Sequence, residues 1–315
     1  MKLRPLGRSG LQVSRVCLGG NVFGWTADEA MSHRLLDAWV DAGGNFVDTA
    51  EMYSNWVPGH TGGESEAVIG RWLAATGKRS RVVVATKCGH PSDRKGLGRT
   101  AIRTAVEGSL RRLQVETIDL YQAHVDDEAT PLEETLSAFG ELIAEGKVRA
   151  IGASNHTAPR LAEAIATSER LGLPRYESLQ PHYNLVERPV YEDALEVVVR
   201  EHRIGCIPYF GLARGFLTGK YRSKADATKS ARGEGAAQYL DQPRGRAVLD
   251  ALDAVSATLG APTAAVALAW LADRPTITAP IASATSLEQL QTLVVAAELQ
   301  LDAPSIALLD RASGS

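Results

Sequence analysis

The sequence predicts an α/β fold in which eight parallel strands close into a (β/α)8 TIM barrel. Short apolar runs typical of strands alternate eight times with amphipathic stretches of helical period. The connections between them are short, which favours a closed barrel over an open doubly wound sheet. No G-x-G-x-x-G opens a helix after the first strand, and an open dinucleotide-binding sheet relies on that pattern.

The individual elements follow this order along the chain. The opening MKLRPLGRSGLQV has a Gly-containing turn between two short alternating runs and predicts a β-hairpin ahead of the barrel. The predicted barrel strands are 15–18, 45–47, 81–86, 117–122, 148–153, 176–180, 204–209 and 277–281. Stretches such as DEAMSHRLLDAWVDAG and TPLEETLSAFGELIAEGK predict the intervening helices. Two extra helices, 248–259 and 263–272, are expected between the last two strands.

Residues 219–246, GKYRSKADATKSARGEGAAQYLDQPRGR, interrupt the regular alternation. They mix Gly, Ala and charged residues with little periodicity, which predicts a long mobile loop. The loop is either a solvated insertion or a lid over a bound cofactor. Barrels of this size commonly form one unit, so we expect a single domain spanning residues 1–315.

Composition excludes several classes of protein. A formal net charge of -3 gives no electrostatic reason to expect nucleic acid as a partner. The N-terminus lacks the apolar core of a signal peptide, and no apolar stretch is long enough to cross a bilayer, so we expect a cytoplasmic protein without a membrane partner. Cys17, Cys88 and Cys206 show no paired spacing and are expected to be buried thiols. The oligomeric state is not indicated.

Four polar residues lie at or just beyond the ends of predicted strands: Asp48 and Tyr53 in NFVDTAEMYS, Lys87 in VVVATKCGH and His124 in IDLYQAHVDD. The carboxyl ends of barrel strands meet at one mouth, so these side chains are expected to converge. A nearby ammonium lowers the pKa of a phenol toward the working range, a carboxylate holds the ammonium, and an imidazole orients a carbonyl oxygen. The set predicts a proton-donating site for carbonyl chemistry.

These residues allow two other interpretations. Taken singly, Asp48, Tyr53 and Lys87 are better explained by structural roles, because a barrel has many polar strand ends; only the joint pattern indicates function. His124 followed by Asp126 and Asp127 also suggests a metal cluster. A hydrolytic metal barrel needs more ligands at strand ends, and no H-x-H is present, so no metal is expected.

The segments DTAEMYS, ATKCG, YQAH, GASN, LQPHYN and LARGFLTGKY together resemble the aldo-keto reductases over nearly the full length. This resemblance implies an oxidoreductase that moves hydride between a nicotinamide and the carbonyl or alcohol carbon of a small substrate. A sugar-derived aldehyde or ketone is one candidate substrate. It implies that Tyr53 is the general acid in reduction, that Lys87 lowers its pKa and that Asp48 pairs with Lys87. His124 would hold the substrate oxygen, which favours reduction of carbonyl groups over carbon–carbon double bonds.

The resemblance also implies a binding site for the nicotinamide cofactor. Ser154, Asn155 and Gln180 would recognise the carboxamide, and Tyr209 would stack on the ring. The remaining cofactor residues implied are Gly20, Gly211, Leu212, Gly215, Leu217, Thr218, Gly219, Lys220, Ser283, Thr285 and Gln289. The stretch PIASATSLEQL lacks the Lys or Arg with which many relatives bind the adenosine 2′-phosphate. NADP is the expected cofactor, with NAD as the alternative.

The substrate pocket is expected to be lined by Phe23, Trp25 and Trp56, whose rings suit an apolar or sugar-like face. The alternative is that these rings pack loops onto the barrel. A rival function is that of family members that keep the cofactor site but serve as regulatory subunits with little turnover. A cofactor-free barrel hydrolase is a more distant alternative. The complete set of four polar residues favours an enzyme.

Overall fold

Ten strands are present in the computed structural model, which describes residues 1–90 and 96–314; residues 91–95 and 315, part of the predicted single domain, lie outside the described residues. The first two strands, β1 (Leu3–Pro5) and β2 (Gln12–Ser14), form the predicted antiparallel hairpin. The other eight are β3 (Cys17–Gly19), β4 (Phe46–Asp48), β5 (Val83–Cys88), β6 (Ile118–Ala123), β7 (Val148–Ser154), β8 (Ser178–Gln180), β9 (Gly205–Cys206) and β10 (Ile281–Ala282).

The eight strands pair in parallel in the order β10-β3-β4-β5-β6-β7-β8-β9. The two ends of this sheet are joined by backbone hydrogen bonds. The amide of Thr278 donates to the carbonyl of Cys206 at 2.8 Å, and that of Ile281 donates to the carbonyl of Pro208 at 2.9 Å. The predicted (β/α)8 TIM barrel is therefore confirmed.

Eleven helices lie in the described part of the chain. They are α1 (Glu29–Asp41), α2 (Glu64–Thr76), α3 (Arg99–Leu113), α4 (Leu132–Ala144), α5 (Ala158–Leu171), α6 (Glu196–His202), α7 (Gly233–Ala237), α8 (Pro243–Leu259), α9 (Thr263–Ala272), α10 (Leu287–Glu298) and α11 (Ala303–Ser313). Several begin at a side chain that accepts a hydrogen bond from the first turn, as Asp28 does from the amide of Met31. Both extra helices predicted before the last strand are present, as α8 and α9.

The barrel interior is filled from its amino-terminal end by the hairpin. The amide of Ser14 donates to the side chain of Asn45, just before β4, at 2.7 Å, which places the hairpin at this end. Leu6, Leu11 and Val13 are buried, and they pack in one cluster with inward-facing residues of the strands. The cluster also contains Cys17, Phe46, Val83, Ala85, Leu120, Ala150, Ile207, Ala279 and Ile281. The carboxyl end of the barrel is left for the polar side chains.

Residues 219–246 differ from the predicted mobile loop, because they fold into short helical turns. Lys224–Lys229 and Gln238–Asp241 form 3-10 turns on either side of α7. Arg222 is tied to Asp253 of α8 by two hydrogen bonds of 2.7 and 2.8 Å. Each turn is too short to show a helical period, which is why the sequence predicts an irregular loop here.

Two further observations concern the described residues as a set. Within 1–90 and 96–314, no single helix is both long and apolar enough to cross a bilayer; the pairs α8–α9 and α10–α11 qualify only when counted together, and they bend by 98° and 113°. The same residues contain no group of three or more His, Cys, Asp or Glu side chains arranged to hold a metal ion. Cys17, Cys88 and Cys206 are buried, as predicted.

Candidate active site

The four predicted catalytic residues converge at the carboxyl end of the barrel. Asp48 is the last residue of β4, Lys87 lies in β5 and His124 directly follows β6. Tyr53 is carried by the tight turns after β4, where its amide donates to the carbonyl of Ala50 at 3.1 Å. The rings of Tyr53 and His124 lie 6.1 Å apart, nearly perpendicular to each other.

The Lys87 ammonium is the centre of this group. Its Nζ donates to Asp48 Oδ2 at 2.7 Å, to the Thr49 carbonyl at 2.8 Å and to the Tyr53 hydroxyl oxygen at 2.8 Å. These acceptors match the three donors of an ammonium group, so the nitrogen is held in one position. The Tyr53 hydroxyl in turn donates to Asp48 Oδ2 at 3.3 Å. Lys87 and Asp48 have almost no exposed surface.

Two glutamines complete the surroundings of Asp48. The side-chain nitrogen of Gln180 donates to Asp48 Oδ1 at 2.9 Å, and that of Gln122 lies 3.5 Å from the same oxygen. Gln180 is expected from the sequence to recognise a carboxamide; in this structure its amide nitrogen faces the carboxylate instead. Gln122 was not predicted. It lies in β6, two positions before His124, and residues two apart lie on the same face of a strand, so this spacing was a signal for it.

The electrostatics of Tyr53 differ from the sequence expectation. Burial, followed by the Asp48 carboxylate, raises the pKa of Tyr53 well above its ordinary value, and the Arg232 guanidinium opposes this. Burial also lowers the pKa of Lys87, against the influence of Asp48. The net shift of the phenol is thus upward rather than toward neutrality. A neutral phenol is the form that can donate a proton.

His124 is held in its neutral form. Burial, with the charges of Lys87 and His90, lowers the pKa of His124 well below its usual value. Its Nδ1 is buried and has no hydrogen-bond partner among the described residues. Leaving this buried nitrogen unpaired costs free energy.

The residues predicted to bind the nicotinamide lie next to this group and contact one another. The Asn155 amide nitrogen donates to the His124 carbonyl at 2.9 Å, and its Oδ1 accepts from the Tyr209 hydroxyl at 2.9 Å. Ser154 Oγ donates to the Gln180 carbonyl at 2.9 Å. The Tyr209 ring stacks on His182 with centroids 5.3 Å apart and planes 13° from parallel.

The loop after β9 has unusual backbone conformations. Phe210, Ala213 and Arg214 have positive φ angles of 53°, 47° and 59°, as does Gly215 at 97°. A positive φ angle strains the backbone of a non-glycine residue, and proteins keep such strain chiefly at ligand-binding sites. The backbone N–H groups of such turns also form concave surfaces that bind anions. The residues predicted for the pyrophosphate all fall within this loop: Gly211, Leu212, Gly215, Leu217, Thr218, Gly219 and Lys220. Leu217 is fully buried and packs in the hydrophobic core.

Around β3 and β10 the predicted adenosine residues already have partners. Ser283 Oγ donates to Asn21 Oδ1 at 2.5 Å. The amide and the hydroxyl of Thr285 both donate to Gln289 Oε1, at 2.9 and 3.1 Å. Asn21 was not predicted, because no motif singles it out.

Gly20 supports the same end of β3. Its amide donates to the Asp48 carbonyl at 2.7 Å, and a Cβ at this position would lie 2.9 Å from Ser65 Oγ and 3.0 Å from that carbonyl. Only glycine therefore fits this close approach to β4. Gly20 is placed where its backbone sets the position of Asp48.

Two of the three predicted pocket residues lie at the mouth. The rings of Trp25 and Trp56 meet edge-on with centroids 5.4 Å apart, and Trp56 lies 6.2 Å from the Tyr53 ring. Phe23 has no exposed surface and packs in the hydrophobic core, so it does not line the mouth. The reason is the turn after β3, in which the Phe23 amide donates to the Gly20 carbonyl.

The carboxyl ends of the barrel strands thus bring together a tyrosine hydroxyl, a buried lysine–aspartate pair and an imidazole. The model of the Aldo/keto reductase family matches residues 15–313. The chain belongs to this family, and it is an oxidoreductase.

Relatives of the chain span almost its whole length. It is 37% identical over 320 residues to the uncharacterized oxidoreductase YrpG of Bacillus subtilis, covering 98% of this chain and 95% of that protein. It is 34% identical to a probable voltage-gated potassium channel subunit beta of Oryza sativa, covering 92% and 89%. It is 32% identical to the aldo-keto reductase AMT2 of Alternaria alternata, covering 95% and 88%.

Proposed function

We propose that the protein reduces an aldehyde or ketone to an alcohol with NADPH, using Tyr53 as the proton donor. One observation carries this proposal: the Tyr53 hydroxyl lies at the mouth within 2.8 Å of the buried Lys87 ammonium. The substrate is a small carbonyl compound, and we expect the reaction to take place in the cytoplasm.

The residues around the mouth fit a nicotinamide dinucleotide. The positive-φ loop at 210–215 presents backbone to a pyrophosphate, and Lys220 adds a positive charge beside it. Ser154, Asn155 and Tyr209 would hold the nicotinamide. The Gln180 side-chain amide would either turn from Asp48 to the nicotinamide or contact both. A bound reduced nicotinamide would supply the hydride.

The chain's own residues would direct the proton. His124 accepts no proton at neutral pH, so it would orient the carbonyl oxygen by a hydrogen bond. Tyr53 would donate its proton to that oxygen as the carbon is reduced, which leaves a phenolate. Lys87, held by Asp48, would stabilise the phenolate through the existing 2.8 Å hydrogen bond until solvent returns a proton.

Tyr53→Phe tests the proposal, because it removes the proton donor and keeps the ring. We expect kcat for a panel of simple benzaldehydes, followed by NADPH absorbance, to fall about 10²- to 10⁴-fold, the range typical of general acid catalysis. Tyr176→Phe is the matched control, since the Tyr176 hydroxyl is buried and has no hydrogen-bond partner among residues 1–90 and 96–314. A Tyr53→Phe variant that keeps most of its turnover contradicts the proposal.

The choice of NADPH over NADH is part of the same proposal and has its own measurement. Residues 282–294 contain no Lys or Arg, so any preference for the 2′-phosphate must come from hydroxyls and amides such as Ser283 and Thr285. Apparent Kd values for NADPH and NADH, measured by quenching of protein fluorescence, decide this point. Tighter binding of NADH would reverse the cofactor assignment while leaving the reductase chemistry in place.

A second function is favoured by one relative. The Oryza sativa protein is named as a probable voltage-gated potassium channel subunit beta, so a cofactor-binding subunit with little turnover is the alternative for this chain. It predicts NADPH-dependent fluorescence quenching with no oxidation of NADPH by any aldehyde in the panel. Turnover that disappears in Tyr53→Phe excludes it.

A further inference from the structure

His156 lies beside the two residues that are expected to recognise the carboxamide, Ser154 and Asn155. Ser154 is the last residue of β7, and His156 follows it by two positions. The His156 side chain has no exposed surface. Its ring meets the Tyr176 ring edge-on, with centroids 5.6 Å apart. The imidazole is therefore packed in one orientation inside the protein.

This orientation determines which ring nitrogen carries hydrogen. Nδ1 of His156 lies 2.9 Å from the Ser154 carbonyl oxygen, which can only accept a hydrogen bond. Nδ1 must therefore carry the hydrogen of the neutral ring. It also carries a hydrogen in the protonated ring. His156 thus donates to the Ser154 carbonyl in either charge state.

The nearest carboxylate on the other side of the ring does not favour the opposite tautomer. Nε2 of His156 lies 3.7 Å from Asp126 Oδ1, which is too far for a hydrogen bond. The Asp126 carboxylate is bound by Arg160, whose Nε donates to its two oxygens at 3.0 and 2.9 Å. Burial lowers the pKa of His156, against the Ser154 carbonyl and Asp126. The ring is neutral at neutral pH, with its hydrogen facing Ser154.

The hydrogen bond from His156 acts on the backbone that carries Asn155. The Ser154 carbonyl and the Asn155 amide share one peptide plane, and that amide donates to the Gln180 carbonyl at 3.4 Å. Asn155 has a φ of 55°, which strains a non-glycine residue and persists only where the surroundings hold it. Its Oδ1 accepts from the Tyr209 hydroxyl at 2.9 Å and has a second lone pair for a ligand.

We propose that His156 is a positioning residue for the nicotinamide, because it holds the Ser154–Asn155 peptide in the conformation that directs the Asn155 amide at the carboxamide. This inference rests on the proposed binding of a nicotinamide dinucleotide. His156 is fully enclosed by protein and acts only through its neighbours. Its loss should therefore weaken binding of the nicotinamide end of the cofactor and leave the adenosine and pyrophosphate end unchanged.

Isothermal titration calorimetry of the full chain with NADPH and with 2′-phospho-ADP-ribose, which lacks the nicotinamide, tests the proposal. His156→Gln places its amide near the position of Nε2 and leaves no donor near Nδ1. We expect Kd for NADPH to rise about 5- to 20-fold, as for loss of one hydrogen bond, with no change for 2′-phospho-ADP-ribose. His156→Asn keeps an amide nitrogen near the position of Nδ1 and should restore most of the NADPH affinity. NADH and ADP-ribose replace these ligands if the wild type binds NADH more tightly.

His202→Gln, at the end of α6, is the matched control and should change neither Kd. Equal losses for the two ligands in His156→Gln, or no loss for either, would overturn the proposal. So would an Asn variant that binds NADPH no better than the Gln variant. A wild type that does not bind NADPH or NADH overturns the proposal and the cofactor assignment together. A wild type that binds NADPH but reduces no aldehyde removes the reductase function alone, because the Kd values need no turnover.

The tautomer of His156 gives a second readout that does not require a stable variant. The ¹⁵N chemical shifts of the His156 ring in the wild type, without nucleotide, distinguish a protonated Nδ1 from a protonated Nε2. We expect hydrogen on Nδ1 at neutral pH. Hydrogen on Nε2 alone would overturn the proposal, because the Ser154 carbonyl would then face a nitrogen lone pair and receive no hydrogen bond.

Discussion

At the scale of single residues, the Lys87–Asp48 pair combines a structural and a chemical role. Both side chains are buried, and their charged atoms are 2.7 Å apart. Removing one partner of a buried ion pair leaves an uncompensated charge, which typically costs about 3–5 kcal/mol of stability. Loss of activity in a single Lys87 variant would therefore not separate catalysis from unfolding. Removing both charges together does separate them.

We predict that Lys87→Met loses carbonyl reduction by at least about 100-fold and also lowers the free energy of unfolding. The double variant Asp48→Asn, Lys87→Met should recover much of the stability, because no unpaired charge remains. It should not recover activity, because the phenolate has lost its ammonium partner. Urea denaturation and the NADPH assay measure the two effects.

Lys78→Met is the control for this pair of variants. Lys78 forms an ion pair with Asp37 that is partly exposed to solvent, and such pairs contribute only about 0–1 kcal/mol. It should change neither stability nor turnover appreciably. A double variant as active as the wild type would show that Lys87 does not stabilise the phenolate.

The residues that could be predicted from the sequence are those whose position depends on strand ends. Asp48, Lys87 and His124 each follow a buried apolar run, so barrel geometry alone places them together. His156 was missed because its hydrogen bond depends on how the chain turns after β7. Phe23 was assigned wrongly because a tight turn, which carries no hydrophobic period, decides which aromatic ring points inward.

At the scale of elements, the hairpin acts as a plug rather than as part of the site. We predict that Leu11→Ala lowers the free energy of unfolding by about 2–5 kcal/mol, since Leu11 is buried at the amino-terminal end of the barrel interior. kcat/KM measured below the melting range should be unchanged, because the polar residues lie at the opposite end. Urea denaturation and the NADPH assay provide the two readouts.

Leu3→Ala in the same hairpin is the matched control, because Leu3 is 49% exposed. Its free energy of unfolding should lie within about 0.5 kcal/mol of the wild type. Equal destabilisation by both substitutions would mean that the hairpin is not packed into the barrel as described.

The limits of the elements were harder to predict than their existence, and proline is one physical reason. The strand predicted at 204–209 is regular only over Gly205–Cys206, and the one predicted at 277–281 is assigned at Ile281–Ala282. Pro208 and Pro280 lie in these runs and cannot donate to a neighbouring strand. The two runs still pair with each other through the amides of Thr278 and Ile281. An apolar run therefore indicates a barrel position without giving the extent of its hydrogen-bonded ladder.

At the scale of the whole molecule, three buried or half-buried histidines make stability depend on pH. Burial is the main cause that lowers the pKa values of His124, His156 and His182 in the folded protein. An unfolded histidine has a pKa of about 6.5. Below that pH the unfolded chain therefore binds protons that the folded protein does not, and the free energy of unfolding falls with acidification. Above a pH of about 6.5 these histidines contribute their full stabilisation of the folded protein.

We predict that the free energy of unfolding decreases as the pH is lowered from 6.5 to 5, and that His156→Asn makes this decrease shallower. One proton of difference is worth up to about 1.4 kcal/mol per pH unit. His156 suits the test because it lies outside the group around Tyr53. The pKa of Asp127 is lowered in the folded protein. Its effect on stability therefore begins only near the ordinary aspartate pKa of about 3.9, so it does not dominate the interval from pH 6.5 to 5.

Urea denaturation at steps of half a pH unit measures this slope. His202→Asn, at the partly exposed end of α6, is the control and should retain the slope of the wild type. The absolute stability of His156→Asn is not the readout, because the substitution also alters packing and the 2.9 Å hydrogen bond between Nδ1 and the Ser154 carbonyl. If His156→Asn and His202→Asn lose stability with acid as steeply as the wild type, His156 titrates alike in the folded and unfolded chain, and burial does not hold it neutral.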